Sequence, residues 1–254
     1  MSIIKASNIK KVYGGGKDFA ETIALHNINL ELEAGEFTAI MGPSGSGKSS
    51  LLKILSGFDQ ATSGDIFIDG KSLGRMTGDE LSIFRRSHIG YIFQEFNLLD
   101  SLTIQENIML PMILNREKNA VMNKKAEQLM ELLNITSLKN KYPYQVSGGQ
   151  QQRTAVCRAL INDTSVIFAD EPTGNLDSKS SKAVLECLKK TSEQLGTTIL
   201  LVTHDPFAAS YSDKVLFLKD GVIRTQLYKK ESQDLFAKQI LDHLALLEED
   251  DYDL

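Results

Sequence analysis

The run GPSGSGKSS, residues 42–50, constrains this chain more than any other stretch. Gly42, four residues, Gly47, Lys48 and Ser49 fit the pattern G-x-x-x-x-G-K-[ST]. Glycine lets the backbone wrap closely enough for successive N–H groups to point at phosphate oxygens. Lys48 would neutralise the β- and γ-phosphates of a nucleotide, and the Ser49 hydroxyl would ligate Mg2+. Ser44, Gly45, Ser46 and Ser50 complete the set expected to touch the nucleotide. EFTAIM, just ahead, reads as a strand, and a helix is expected to start near Lys48. That helix would add the positive end of its dipole to the same anion. A chance glycine turn would not need a strand before it and a helix after it.

A phosphate loop needs an acid for the metal and a group to orient the attacking water. SVIFADEP supplies both: Asp170 would hold Mg2+ through water, and Glu171 would polarise the hydrolytic water. They end an apolar strand, the edge where ligands bind in open parallel sheets. His204, at the end of TTILLVTHD, should emerge on that edge within reach of the γ-phosphate. Gln94, after the short strand in GYIFQEFNLL, could reach the metal or the water. For His204 and Gln94 taken alone, a purely structural role stands equally beside the catalytic one.

Apolar strands without alternation, separated by helices, indicate a parallel sheet covered on both faces. NINLELEAG alternates Ile28, Leu30 and Leu32 with polar neighbours and reads as a half-buried strand; SGDIFIDG reads as another. From Thr103 to Ile135 the pattern is helical, opened by a Thr103-x-x-Glu106 capping box. A helix over Ser180–Leu195 should stop at Gly196, and KVLFLKDGVIRTQL should form a hairpin turning at Asp220-Gly221. A C-terminal helix is expected from Ser232, ending in a solvated acidic tail.

At 42% hydrophobic residues the chain can bury a substantial core, and a formal net charge of -5 argues against a nucleic-acid partner. Its two cysteines, Cys157 and Cys187, form no C-x-x-C pair and read as buried reduced thiols, which suits a reducing cytosol. No secretory leader or membrane-spanning run is evident.

Taken in order, the phosphate loop, Gln94, VSGGQ, FADEP, NLDS and VTHD resemble the ATP-binding-cassette (ABC) ATPases over nearly the whole chain. The resemblance implies a P-loop NTPase of the α/β class. It would have a mixed, mostly parallel core sheet, an antiparallel β subdomain and an inserted helical subdomain. One domain is expected over 1–254: a catalytic core (1–93 and 163–230), a helical subdomain (94–162), and a C-terminal helix with its acidic tail (231–254). Val146 stands where the family signature has leucine. In that signature Ser147, Gly148 and Gly149, with help from Gln150, would bind the γ-phosphate of an ATP held by a second subunit. Gln151–Arg153 would begin the following helix, and CRALI would be helix core. Tyr13 matches the aromatic residue that stacks on adenine, Asp177 the acid that crosses the dimer interface, and His204 the switch histidine.

The resemblance further implies an ATP- and Mg2+-dependent ATPase that closes as a head-to-tail homodimer and drives an integral membrane permease. It would sit in the cytoplasm on the inner face of the membrane. Phe96, Leu98, Leu99 and Leu102 fit either core packing or a groove for the permease's coupling helix. The runs NLLDSLTIQENIMLPM, KYPYQVSGGQ and THDPFAASY are most similar to ATPases of bacitracin-export-type transporters. Lipoprotein-release, macrolide-export and cell-division ATPases, or a soluble non-transport ATPase, are the alternatives. A binding module with a dead site would not keep Lys48, Asp170, Glu171 and His204.

Overall fold

The computed structural model describes residues 2–14 and 20–249. The acidic tail beyond 249 lies outside them. The chain opens with two long strands, β1 (Ser2–Tyr13) and β2 (Thr22–Glu33), paired antiparallel. Ile28, Leu30 and Leu32 are buried on one face of β2, as the alternation predicts. β3 (Phe37–Met41) is buried at every residue and leads through the glycine turn into α1 (Lys48–Leu55). β4 (Ser63–Ile68) and the short β5 (Lys71–Ser72) complete a four-stranded antiparallel sheet in the order β2-β1-β4-β5.

Next come α2 (Gly78–His88), which the sequence reading passes over, and β6 (Ile89–Ile92). The helical stretch resolves into α3 (Ile104–Leu114) and α4 (Asn119–Leu132). Thr103 caps α3 with the expected reciprocal bonds: Glu106 N donates to Thr103 Oγ1 (3.3 Å) and Thr103 N to Glu106 Oε2 (2.8 Å). α5 (Gly148–Leu160) follows, then β7 (Val166–Asp170) and α6 (Ser178–Leu195). α6 ends at Gly196 in a left-handed conformation, φ 66°, the usual glycine stop. β8 (Thr198–Val202), α7 (Pro206–Ala209), β9 (Lys214–Lys219), β10 (Val222–Tyr228) and α8 (Gln233–Glu249) complete the chain.

The second sheet has six strands in the order β10-β9-β3-β8-β7-β6, parallel throughout except for β10. Its two faces feed two cores. Ala39, Ile167 and Leu201 pack with Ile108, Val156 and Leu188 on the helical side. Ile40, Phe168 and Leu200 pack with Leu51 and Leu55 of α1 and with Ile4 and Leu32 of the antiparallel sheet. Both faces are covered, as expected, one by helices and the other by α1 and a second sheet. Cys157 and Cys187 are free and buried. No helix among the described residues is long and apolar enough to cross a membrane.

This arrangement puts the C-terminal ends of β3, β8, β7 and β6 on one edge. The loop from β6 to α3 along that edge is held by the fully buried Asn107. Its Oδ1 accepts from Leu99 N (2.8 Å), and its Nδ2 donates to Leu99 O (3.0 Å), Leu102 O (3.1 Å) and Thr103 O (3.0 Å). Replacing Asn107 with Leu strands those backbone groups. It should cost about 3 kcal/mol and lower the thermal midpoint by roughly 6–12 °C, readable by calorimetry.

Candidate functional site

The phosphate loop leaves β3 at Gly42, whose φ is 154° and whose Cα faces the neighbouring strand. A Cβ there would lie 1.9 Å from Leu218 O of β9. From beneath, Gly221 N at the β9–β10 turn donates to Ser46 O (3.0 Å). The loop is thus seated on β9 and its hairpin, with Ser44 and Gly45 exposed at its crest. Gly47 ends the loop in a left-handed conformation, φ 100°, and caps α1. Lys48 is buried, and its Nζ donates to Gly42 O (2.9 Å) and Pro43 O (2.8 Å). Burial pulls the Lys48 ammonium below the usual lysine range, opposed by the nearby charges of Glu171 and Asp170.

Asp170 ends β7 opposite the loop. Ser49 Oγ donates to Asp170 Oδ1 (3.4 Å), and the Tyr91 hydroxyl to Asp170 Oδ2 (3.5 Å). Burial first, and then the Glu171 charge, raise the Asp170 carboxyl above its ordinary range; Lys53, Ser49 and Tyr91 pull the other way. Burial and Asp170 together raise the Tyr91 phenol. Glu171 sits at φ 45°, an unusual conformation for a non-glycine residue and one often found at functional sites. Its N–H donates to Val202 O of β8 (2.9 Å), and its Oε2 lies 2.6 Å from His204 Nδ1. A cavity of about 670 Å3 opens beside this pair, lined also by Thr203, Ser178 and Lys182.

Gln94 lies two residues beyond β6 and turns toward the segment after Glu171. Its Nε2 donates to Asn175 Oδ1 (3.4 Å), and Asn175 Nδ2 donates back to Gln94 O (3.3 Å). It makes no hydrogen bond to Asp170 or Glu171. Tyr13 reaches the side of α1. Its hydroxyl donates to Asp59 Oδ2 (2.9 Å) and lies 3.3 Å from Ser50 Oγ, while Lys11 Nζ stands 4.6 Å from its ring centre.

The glycine-rich turn after Val146 corrects one expectation. Its helix, α5, begins at Gly148, three residues before the expected Gln151. Ser147 is the N-cap: its Oγ accepts from Gln150 N (3.4 Å), and Gln150 Oε1 accepts from Ser147 N (2.9 Å). Ser147 is exposed, and Gly149 is buried against α6. A Cβ on Gly149 would meet Ser180 Cβ at 2.8 Å. Asp177 caps α6 by accepting from Lys179 N and Ser180 N (3.0 Å each); the Ser180 hydroxyl first, and then these backbone donors, hold its carboxyl below the ordinary range.

Tyr91 and Asp59 are site neighbours that the sequence reading misses. Tyr91 sits inside an apolar strand, where its phenol looks like core. Asp59 is 46 residues from Tyr13 and carries no pattern to pair them.

The residues suit a nucleotide with Mg2+. The buried Ser46 Oγ has no hydrogen-bond partner, an orphan donor inside a glycine cradle. Ser49 and Asp170 offer hard oxygen donors; Mg2+ characteristically takes few protein ligands and completes its shell with phosphates and water.

Comparison with known proteins agrees with this geometry. Residues 25–174 match the ABC transporter family model. The chain is 47% identical to the ABC transporter ATP-binding protein YxdL of Bacillus subtilis, covering 97% of this chain and 95% of that one. It is 48% identical to the bacitracin export ATP-binding protein BceA of Halalkalibacterium halodurans, covering 97% of each. The dimeric ATP-binding cassette MJ0796 of Methanocaldococcus jannaschii, solved with ADP and Pi, superposes with a TM-score of 0.80. It is 39% identical, and the match covers 90% of this chain and all of that one.

The Gly42 contact makes a test. Gly42→Ala should weaken binding of a fluorescent ATP analogue by more than about tenfold, because Leu218 O cannot move without its strand. Gly45→Ala, built into open space at φ 80°, should carry only a backbone penalty of about 1 kcal/mol.

Proposed function

The chain belongs to the ABC transporter family and is an ATP-hydrolysing transporter subunit; we propose that its permease protects the cell against bacitracin-like peptide antibiotics. The observation that supports this branch is the likeness to the bacitracin export relative, which runs the length of both chains. In this reading the subunit works on the cytoplasmic face of the membrane.

The proposed site works as follows. The glycine loop and Lys48 hold the β- and γ-phosphates of ATP, and the Tyr13 ring stacks on the base. Ser49 and Asp170 would hold Mg2+, and Gln94 would reach it or the water. Bound there, the ion would supply positive charge against the phosphates. Glu171 takes the proton from the attacking water, and His204, 2.6 Å from it, orients that carboxylate and meets the γ-phosphate.

Ser147 and the Gly148 and Gly149 amides, with Gln150, form a second anion cradle at the start of α5. No hydrogen bond joins this turn to the phosphate loop among the described residues. Two chains closing head to tail bring each cradle onto the other's nucleotide, with Asp177 at the interface. Hydrolysis removes the γ-phosphate and opens the pair.

In this reading the permease docks in a surface groove. A groove of about 530 Å3 is lined by Phe58, Arg85, Tyr91, Phe93, Leu110 and Leu114. Phe58 and Leu114 are more than half exposed, at 51% and 58%. The expected apolar loop divides: Leu98 packs on the core, Phe96 leans on the α5 turn, and Leu99 is exposed.

With ATP and Mg2+, Glu171→Gln should slow turnover about a hundredfold or more and elute as a dimer on size exclusion. Lys48→Ala should lose roughly a hundredfold in ATP affinity and stay monomeric. Adding Ser147→Arg to Glu171→Gln should abolish the dimer while monomer ATP affinity holds. Wild-type turnover by Glu171→Gln overturns the mechanism. For the branch, cells whose own copy carries Lys48→Ala should stop growing at lower bacitracin. Unchanged sensitivity rules out the peptide-resistance role.

A further inference from the structure

Helix α5 grips the segment that carries Gln94 on both sides of that residue. Gln152 Nε2 donates to Phe93 O (3.2 Å). The Arg158 guanidinium donates to Phe96 O (2.7 Å) and Asn97 O (2.5 Å). At the other end of the same helix the Phe96 ring lies against Gly148, where a Cβ would be 3.5 Å from Phe96 Cζ. Three carbonyls and one ring of residues 93–97 are therefore bound to α5. The CRALI run, expected as helix core, contains this half-buried Arg158, which grips the loop instead.

Two features show that the grip is costly to build. Phe96 and Asn97 both adopt left-handed conformations, φ 48° and 50°, and the Asn97 N–H folds back onto Glu95 O. Two consecutive non-glycine residues there persist only when their surroundings hold them. Arg158 does that holding, and no carboxylate pairs with it among the described residues. Gln152 is fully buried, and its Oε1 has no hydrogen-bond partner. An amide buried with half its capacity unused is expensive. Its Nε2 bond to Phe93 O fixes it in place.

We propose that Gln152 and Arg158 are positioning residues that strap the Gln94 segment to α5, so that Gln94 and Ser147 move as one body. This rests on the reading above, in which Gln94 serves the chain's own nucleotide and Ser147 the partner's. The strap then makes α5 the rigid link between the two nucleotides of a dimer. Phe93 and Arg158 also line the groove, so a permease segment seated there presses on the strap itself.

The test places Arg158→Met and Gln152→Met separately in the Glu171→Gln chain and measures three quantities. Amide hydrogen exchange over residues 94–99 should rise about tenfold or more in Arg158→Met, and less in Gln152→Met, which loses one bond. Affinity for a fluorescent ATP analogue in the monomer should stay within about twofold, because neither residue approaches the phosphate loop. ATP-driven dimerisation, followed by analytical ultracentrifugation, should weaken about tenfold. Arg158→Lys, a single point charge in place of a planar fork, should fall between the parent and Arg158→Met. It carries the same measurements if Arg158→Met does not fold. Unchanged exchange over 94–99 in a folded Arg158 variant overturns the proposal, as does raised exchange with parental dimer affinity. If the Glu171→Gln parent itself fails to dimerise with ATP, the dimer reading falls; the exchange measurement still decides whether the strap exists.

Discussion

Where a side chain on Gly42 would begin, the carbonyl oxygen of Leu218 already stands, 1.9 Å from the place its Cβ would take. That contact seats the phosphate loop on β9, and the rest of the site is arranged around the seat. β3, from which the loop springs, lies between β9 and β8. β7 and β6 follow in order, so Asp170, Glu171, His204 and Gln94 all leave the sheet on the loop's side. Parallel pairing is what makes this possible, because it puts every strand's C-terminal end on one edge. The two cores clamp the sheet from both faces and hold that edge still.

Charge is concentrated where the strands end. Asp170 and Glu171 are consecutive; burial first, and then the Glu171 charge, raises the Asp170 carboxyl. Lys48 suffers the opposite penalty from burial, relieved by the same two acids. A polyanion brought in with a divalent cation satisfies both, because the cation stabilises the carboxylates while the phosphates stabilise the ammonium. These charges suit a nucleotide, and on the proposed reading one that arrives with its divalent cation.

Much of this is legible in the amino-acid sequence. The strand, glycine turn and helix around Lys48, the stop at Gly196 and the hairpin at Asp220-Gly221 all carry local signals that the fold obeys. Thr103-x-x-Glu106 does too. What escaped has physical causes. Thr77-x-x-Glu80 caps α2 by the same chemistry, but the helix behind it buries only Phe84. Ser147-x-x-Gln150 is again a capping box, masked because two glycines inside it depress helix propensity. Asn107 binds carbonyls of the loop just before it, and Arg158 binds carbonyls 61 and 62 residues away. A carbonyl is the same in every residue, so no pattern of side chains announces such a bond.

The contact between Gly149 and Ser180 has a consequence for how this chain changes over generations. Gly42 faces a backbone oxygen, and no substitution elsewhere can remove that atom. Gly149 faces Ser180 Cβ at 2.8 Å and Oγ at 2.9 Å, atoms that a mutation can delete. The first glycine is thus immovable by itself. The second belongs to a pair, and its history is tied to position 180: a larger residue at one place becomes tolerable only after a smaller one at the other. Two glycines that look alike in a motif are in this respect different kinds of constraint.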